Sequence, residues 1–253
     1  LSFDTLPLEY PVLGCGDYRE ACLAVTHPDG SRALDLRFEA YRVLPGKPKL
    51  TGLPASLPDE NTEALEIQLC DCVSGLCVWL SYALFSEKDV ITRSVRIENG
   101  GSAPVTLDRV LSCCLDLYQP AERDLMTFYG RHAGERNMQR SPLQHGKFRV
   151  ESTRGASSLH YNPSTILCAH DAAEHSGEAY AALLVYSGSF LISAEVDQID
   201  QTRLVAGIQP EGFSWQLCPG EVFTVPEVLL SYSAAGLGQL SRQLHSFLNN
   251  HII

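Results

Sequence analysis

Positive charge is scarce in this sequence. Its 253 residues carry 19 Lys and Arg against 30 Asp and Glu, a formal net charge of −11 at pH 7. Nucleic-acid binding rests on basic patches, so this balance argues against such a partner. Long apolar runs are missing too. None reaches the roughly 18 residues that a membrane-spanning helix needs. The opening residues Leu1-Ser2-Phe3-Asp4 include no basic stretch and no initiator Met. No secretory signal is read there, and the start is expected to be a cut inside a longer protein. Every Asn-x-Ser/Thr acceptor is absent or blocked, as Asn162-Pro163-Ser164 is by its proline. The nine Cys fit no zinc-ligand spacing: Cys70 and Cys72 are separated by one residue, and Cys113 and Cys114 are adjacent. No metal and no other cofactor is expected. Adjacent and mid-strand Cys are expected to be small buried apolar residues. A reduced, unglycosylated, cytoplasmic protein is the expectation, with secretion left open.

Catalytic signatures are equally sparse. Ser157-Ser158 lacks the G-x-S-x-G elbow of a serine nucleophile. There is no Gly-rich phosphate loop. Asp197 and Asp200 flank Gln198-Ile199 and read as a solvated turn. Glu221 and Glu227 flank a strand and are expected at the surface. Apolar residues make up 45% and charged residues 19%, which suits one large all-β domain or two small ones.

What is present is many short strands, Gly/Pro turns and one terminal helix. Phe213, Trp215 and Leu217 alternate with polar residues, the period of a half-buried strand, and Trp215 is expected in the core. Cys218-Pro219-Gly220-Glu221 is a turn. Val222 to Tyr232 is a second, mostly buried strand, with an edge or bulge at Pro226 because proline cannot donate to a ladder. Leu237, Leu240, Leu244, Phe247 and Leu248 then recur at helical spacing. That stripe runs to the chain end, and a second body is expected to cover it.

Earlier in the chain, strands are expected around 9–13, 21–26, 34–43, 65–69, 73–85 and 90–97. His27-Pro28-Asp29-Gly30 and Asn99-Gly100 carry hairpin chemistry. The 44–60 segment holds four Pro and two Gly and reads as a long loop. It is either packed on its own domain or docked on a partner. Residues 121–150 read as longer connections.

Several runs in register are similar to the N-terminal β-supersandwich domain of glycoside hydrolase family 36, the α-galactosidases. They include Asp35-Leu36-Arg37, Tyr41-Arg42-Val43, Gly46-Lys47-Pro48 and Gly52-Leu53-Pro54-Ala55. Asp89–Ser94, Arg154-Gly155-Ala156-Ser157-Ser158, Glu195–Gln198, Phe213-Ser214-Trp215, Pro219-Gly220-Glu221, Pro226-Glu227-Val228 and Ser241-Arg242 follow. The sequence departs at Tyr41, Leu159, Ser164, Val225 and Leu240. The resemblance implies an all-β, two-sheet supersandwich like galactose mutarotase over 1–236, in a family whose domain begins with earlier strands, with 237–253 a helix leading to a (β/α)8 barrel. It implies a retaining α-galactosidase whose two catalytic aspartates lie on that barrel, roughly 5–5.5 Å apart. No catalytic residue is expected in this chain, because the barrel's Lys-Trp/Tyr-Asp-Met-Asn and Asp-Asp-Gly-Trp runs do not occur. The implied partners are the barrel, further subunits in a homotetramer, and galactosides of the melibiose or raffinose type. Arg42, Lys47, Arg154, His160 and Asn162 are the expected contacts with the barrel or a second subunit. The Pro-rich loop tips toward docking on the same grounds. The alternative is a free-standing carbohydrate-binding or interaction module, which predicts exposed aromatics on one sheet face.

Overall fold

A computed structural model describes residues 3–118, 121–157 and 159–252. Its strands, numbered in chain order, form two antiparallel sheets. The larger runs β2 (Arg37–Pro45), β3 (Glu63–Cys70), β4 (Leu76–Phe85), β5 (Val90–Asn99), β15 (Val222–Ser233), β11 (Ala179–Val185), β10 (Tyr161–Ala169), β7 (Arg123–Arg131), β8 (Gly134–Pro142). The smaller runs β1 (Leu23–Thr26), β6 (Val105–Leu117), β13 (Thr202–Ile208), β12 (Phe190–Val196), β9 (Gly146–Ser152), with β14 (Trp215–Leu217) also on β6. The two-sheet sandwich read from the sequence is what the chain adopts.

Register decides which side chains meet. Val78 opposes Ile97 and Leu80 opposes Val95, so these four share the face turned to the small sheet. There they pack with Leu107, Leu111, Leu191 and Val205. A second cluster continues the layer through Leu125, Leu167, Phe190, Ile192 and Val228. The expected break at Pro226 is a register shift between Val225 and Val228, although β15 is a central strand rather than an edge.

The opposite face of the large sheet is covered by α1 (Leu237–His251). Leu240 and Leu244 pack on Met126, Cys168 and Ala181, and Phe247 on Phe85, Val90 and Leu229. The apolar stripe was expected to await a second body. It is instead buried on the chain's own sheet, because the outward residues of β4, β5, β11 and β15 in this region are themselves apolar.

Other expectations change as well. Asn99-Gly100 closes no hairpin, because β5 and β6 lie in different sheets and the turn carries the chain between them. Asn99 stabilises that crossing, donating from Nδ2 to the carbonyls of Ala103 and Leu217, 2.9 Å each. His27–Gly30 is a turn, with Gly30 N–H donating to His27 O, but β1 pairs with β6 and not with β2. The strand expected at 9–13 reduces to one bridge between Val12 and Leu23. The 121–150 stretch holds β7, β8 and the start of β9; its polar residues suit β8 and β9, which lie at sheet edges. Trp215 is 50% exposed, because β14 is a three-residue edge strand whose Leu217 alone reaches the core. Cys70 and Cys77 face each other across β3 and β4 and form a disulfide, which their seven-residue separation hid.

The segment before β1 is strapped to the small sheet by buried charge. Arg203 bonds Asp116 and Asp17 at 2.6 and 2.8 Å, and Arg19 bonds Asp17 at 2.9 Å. Asp197 is buried beside Arg19 rather than solvated, and its Oδ1 accepts the N–H groups of Ile199 and Gln201. Glu20 meets Arg109, Lys147 and Arg149. Burial alone would raise its pKa, but the three cations win and hold it at about 2.

Candidate functional site

Carboxylate pairs are the first chemistry to seek. A hollow of about 910 Å³ opens beside the core near Leu34, Leu69 and Val105. Its acids are already engaged. Glu9 meets Arg93, Asp35 meets Arg37, Asp29 accepts from Ser31, and Asp71 accepts from Ser74. These contacts tie the acids to the fold. Glu221 lies at the surface, as expected, and accepts from Cys218 N–H. Glu227 does not. It is fully buried, and the register shift in β15 turns it toward the Pro-rich loop.

That loop is organised around Glu227. The Lys47 ammonium, 4% exposed, pairs with the Glu227 carboxylate. Ser56 donates to the same carboxylate from N–H at 2.7 Å and from Oγ–H at 3.0 Å. Lys47 also donates to Ser56 O and Oγ at 2.9 and 2.8 Å. Burial pulls the Lys47 pKa below its ordinary value, against the attraction of Glu227. One turn further on, Leu57 and His251 exchange hydrogen bonds. Leu57 N–H donates to His251 O at 2.8 Å, and His251 Nδ1 lies 2.9 Å from Leu57 O. His251 stacks on Phe247 and meets Phe85 edge-on. The loop is therefore anchored on its own domain. Lys47, expected at a contact with another body, points inward. A cation after Gly46 had no visible partner in sequence, because Glu227 lies 180 residues away.

Arg42 lies on β2 opposite Glu66 and bonds it through Nε at 2.6 Å. Its guanidinium sits 4.7 Å from the Trp79 ring centre, and Arg96 sits 5.2 Å from the same ring. This stack was not foreseen. Its members come from three strands, and only register brings them together.

The other three expected residues lie elsewhere. Arg154 is exposed on the turn between β9 and β10. Gly155 N–H donates to Ser189 Oγ and Ser157 N–H to Ser187 O, which pin that turn to the one before β12. His160 and Asn162 follow at the start of β10. His160 O accepts from Gly130 N–H at 3.1 Å, and Asn162 Oδ1 accepts from Ser164 Oγ–H at 2.5 Å. Ser158 lies outside the described residues. Between β2 and β10 there are six strand spacings, roughly 30 Å at about 4.8 Å each. The five expected contacts thus form two groups, not one patch.

Of the second group, Asn162 lines a hollow of about 250 Å³, together with Tyr129, Glu135, Arg136, Ser157 and Leu159 among others. Tyr129 on β7 opposes Tyr161 on β10, and they are 45% and 48% exposed. Neither tyrosine stood out in the sequence, since nothing local shows that strands from either side of β8 and β9 become neighbours. Among the described residues no cluster of His, Cys, Asp and Glu could hold a metal ion.

Comparison with known proteins bears on this geometry. The family model described as "Glycosyl hydrolase family 36 N-terminal domain" matches residues 1–218. The bifunctional alpha-galactosidase/sucrose kinase AgaSK of Mediterraneibacter gnavus is 48% identical over 252 residues, covering 99% of this chain and 27% of that protein. Alpha-galactosidase AgaA of Geobacillus stearothermophilus is 42% identical, covering 99% of this chain and 35% of that protein. The solved galactosidase domain of AgaSK superposes with a TM-score of 0.96, covering 99% of this chain and 35% of that one. An AgaA variant solved with raffinose superposes with a TM-score of 0.97 at 42% identity, covering all of this chain and 35% of that one. The chain spans about a third of the length of these relatives or less.

Proposed function

The chain belongs to glycosyl hydrolase family 36, as an N-terminal domain of that family, and on that premise we propose that it is the non-catalytic scaffold of a retaining α-galactosidase. The substrates are terminal α-D-galactosides of the melibiose and raffinose type. One observation carries the reading: identity of 42–48% runs over 99% of the chain, yet reaches only about a third of each relative. The acids of the hollow near Leu34 support the same division of labour, since each is held by a partner within the fold. A glycosidase needs two carboxyl groups facing one sugar. Bond cleavage therefore belongs to a (β/α)8 body elsewhere in the polypeptide.

The two groups around Arg42 and around Arg154, His160 and Asn162 are the surfaces we assign to contacts with that body and with further subunits of a tetramer. Lys47 serves them indirectly by fixing the loop. The cytoplasm is its proposed location; the seven free thiols support a reducing compartment, and the Cys70–Cys77 disulfide weighs against it. The test is hydrolysis of p-nitrophenyl α-galactoside by the 253-residue chain and by the complete gene product. Turnover by the complete product alone is expected. Turnover by the 253-residue chain would overturn the assignment.

A further inference from the structure

We propose that Cys72 and the Cys70–Cys77 bridge form a thiol–disulfide exchange site at the turn end of the β3–β4 hairpin, one that low-molecular-weight thiols reach from solvent. The site is independent of the glycosidase reading.

The first argument is access. Leu69 and Val78 oppose each other and pack into the core between the sheets. Alternation therefore turns the next pair, Cys70 and Cys77, to the outer face. On that face α1 packs at the other end of β4, around Phe85. Cys70 and Cys77 are half-buried, and Cys72 is the one exposed free cysteine among the described residues. Val73 beside it is 91% exposed. Bridges open to solvent are the exchangeable ones.

The second argument is proximity. Arg37 on β2 directly opposes Cys70. The same guanidinium lies within electrostatic reach of the Cys72 sulfur. One side chain thus spans the bridged cysteine and the free one. Exchange proceeds through sulfur anions, and Arg37 supplies a cation along that path. Asp35 shares this cation at 2.7 Å, so only part of its charge serves the sulfurs.

The third argument is the turn itself. Asp71 Oδ2 accepts from Ser74 N–H and Oγ–H at 3.0 and 2.5 Å. Asp71 O accepts from Gly75 N–H, and Asp71 N–H donates to Leu76 O, both at 2.9 Å. These bonds anchor the feet of the turn. Cys72 contributes to none of them, so its sulfur can move toward Cys77 with the turn intact.

The step transfers one S–S bond. The Cys72 thiol gives its proton to water and its sulfur bonds Cys77 Sγ. The Cys70–Cys77 bond breaks, and the Cys70 sulfur leaves with the electron pair and takes up a proton. Nothing is oxidised or reduced overall. A small thiol catalyses the same transfer. Its sulfur first bonds Cys77 and frees Cys70; Cys72 then displaces it, and the thiol is returned. Val73 and Ser74 line the hollow near Leu34, so the position of the bridge sets the shape of that rim.

The test is a thiol map of the folded 253-residue chain before and after incubation with a trace of reduced glutathione. Acid stops exchange, N-ethylmaleimide blocks the free thiols, and tandem mass spectrometry locates the label. Among these three cysteines, Cys72 alone should be labelled at the start. After incubation the label should sit on Cys70 instead in at least about a tenth of chains, the share of a bridge disfavoured tenfold. Cys72→Ser should lose the Cys70 label, and Arg37→Ala should slow its appearance about two- to threefold. Label that stays on Cys72 alone through prolonged incubation overturns the proposal. So does equal release of Cys70 and Cys77 at the same rate in the parent chain and in Cys72→Ser, which would be plain reduction. The hydrolysis assay above is scored separately, so either result can fail alone.

Discussion

Replacing Lys47 by Met isolates the energetics of the buried loop anchor. The substitution keeps length and apolar volume but removes the ammonium beside Glu227. The Glu227 carboxylate is then left fully buried with only the two donors of Ser56. Breaking a buried ion pair by removing one partner typically costs about 3–5 kcal/mol, because the survivor keeps its desolvation penalty. For a chain of this size each kcal/mol moves Tm by about 2–4 °C, so a fall of roughly 10 °C is expected. Glu227→Met should cost a similar amount, since the ammonium then has no anion. Lys47→Met with Glu227→Met should cost less than the two single changes added together, because no charge remains unpaired. Urea denaturation of the four proteins, followed by circular dichroism and by fluorescence, measures the cycle. Amide exchange at Ser56 reports on the loop itself. A Lys47→Met cost below about 1 kcal/mol, or strict additivity in the cycle, would refute the claim that this pair holds the loop.

Phe247→Ala tests whether α1 belongs to this domain. Phe247 is fully buried against Phe85 and Leu229, so a loss of about 3–5 kcal/mol is expected, with faster exchange along 237–251; calorimetry showing no change in Tm would refute it. Glu20 predicts an acid limb. Its folded pKa of about 2 lies below the unfolded 4.5, so its contribution is complete above pH 4.5 and fades as pH falls toward 2. The gap caps that contribution at about 3 kcal/mol, and partial access of water to the cations lowers it. Glu20→Gln should therefore flatten stability against pH in that window and lower it at pH 7; an unchanged profile counts against the strap. Gly207→Ala would place Cβ 2.5 Å from Leu111 Cα at the shift between β13 and β6. A loss of at least about 2 kcal/mol is expected by urea titration, and a neutral result would mean that the strands part easily.

The sandwich was legible because its signals are local. Alternation marked β3, β4 and β5, helical spacing marked α1, and Pro226 marked its bulge. Whatever depends on long-range register was not legible. Asn99-Gly100 has the chemistry of a tight hairpin, but β5 pairs with β15, far along the chain at Val222–Ser233, and the chain after Asn99 crosses to the other sheet. Trp215 alternates like a core residue, yet its strand is an edge too short to be covered. Glu227 reads as a surface acid until Lys47 is seen beneath the loop. The opposition of Tyr129 and Tyr161 is invisible in the same way, since it arises only where β7 and β10 pair. The helix stripe shows the opposite error. Its apolar face was read correctly, and its cover was sought outside the chain when it lay in the outward face of the large sheet.

The placement of β15 has a consequence for synthesis. Four strands of the large sheet come from residues 37–99 and four from 123–185, and β15, from 222–233, is the strand that joins them. As the chain leaves the ribosome, each half must wait with a naked flank, β5 on one and β11 on the other. At about 5–20 residues per second, β5 waits on the order of ten seconds for its neighbour. During that interval Val90, Val95 and Ile97 lie on an open border, where chaperones and other nascent chains compete for it. A chain cut short before Val222 would hold two half-sheets with no strand to join them.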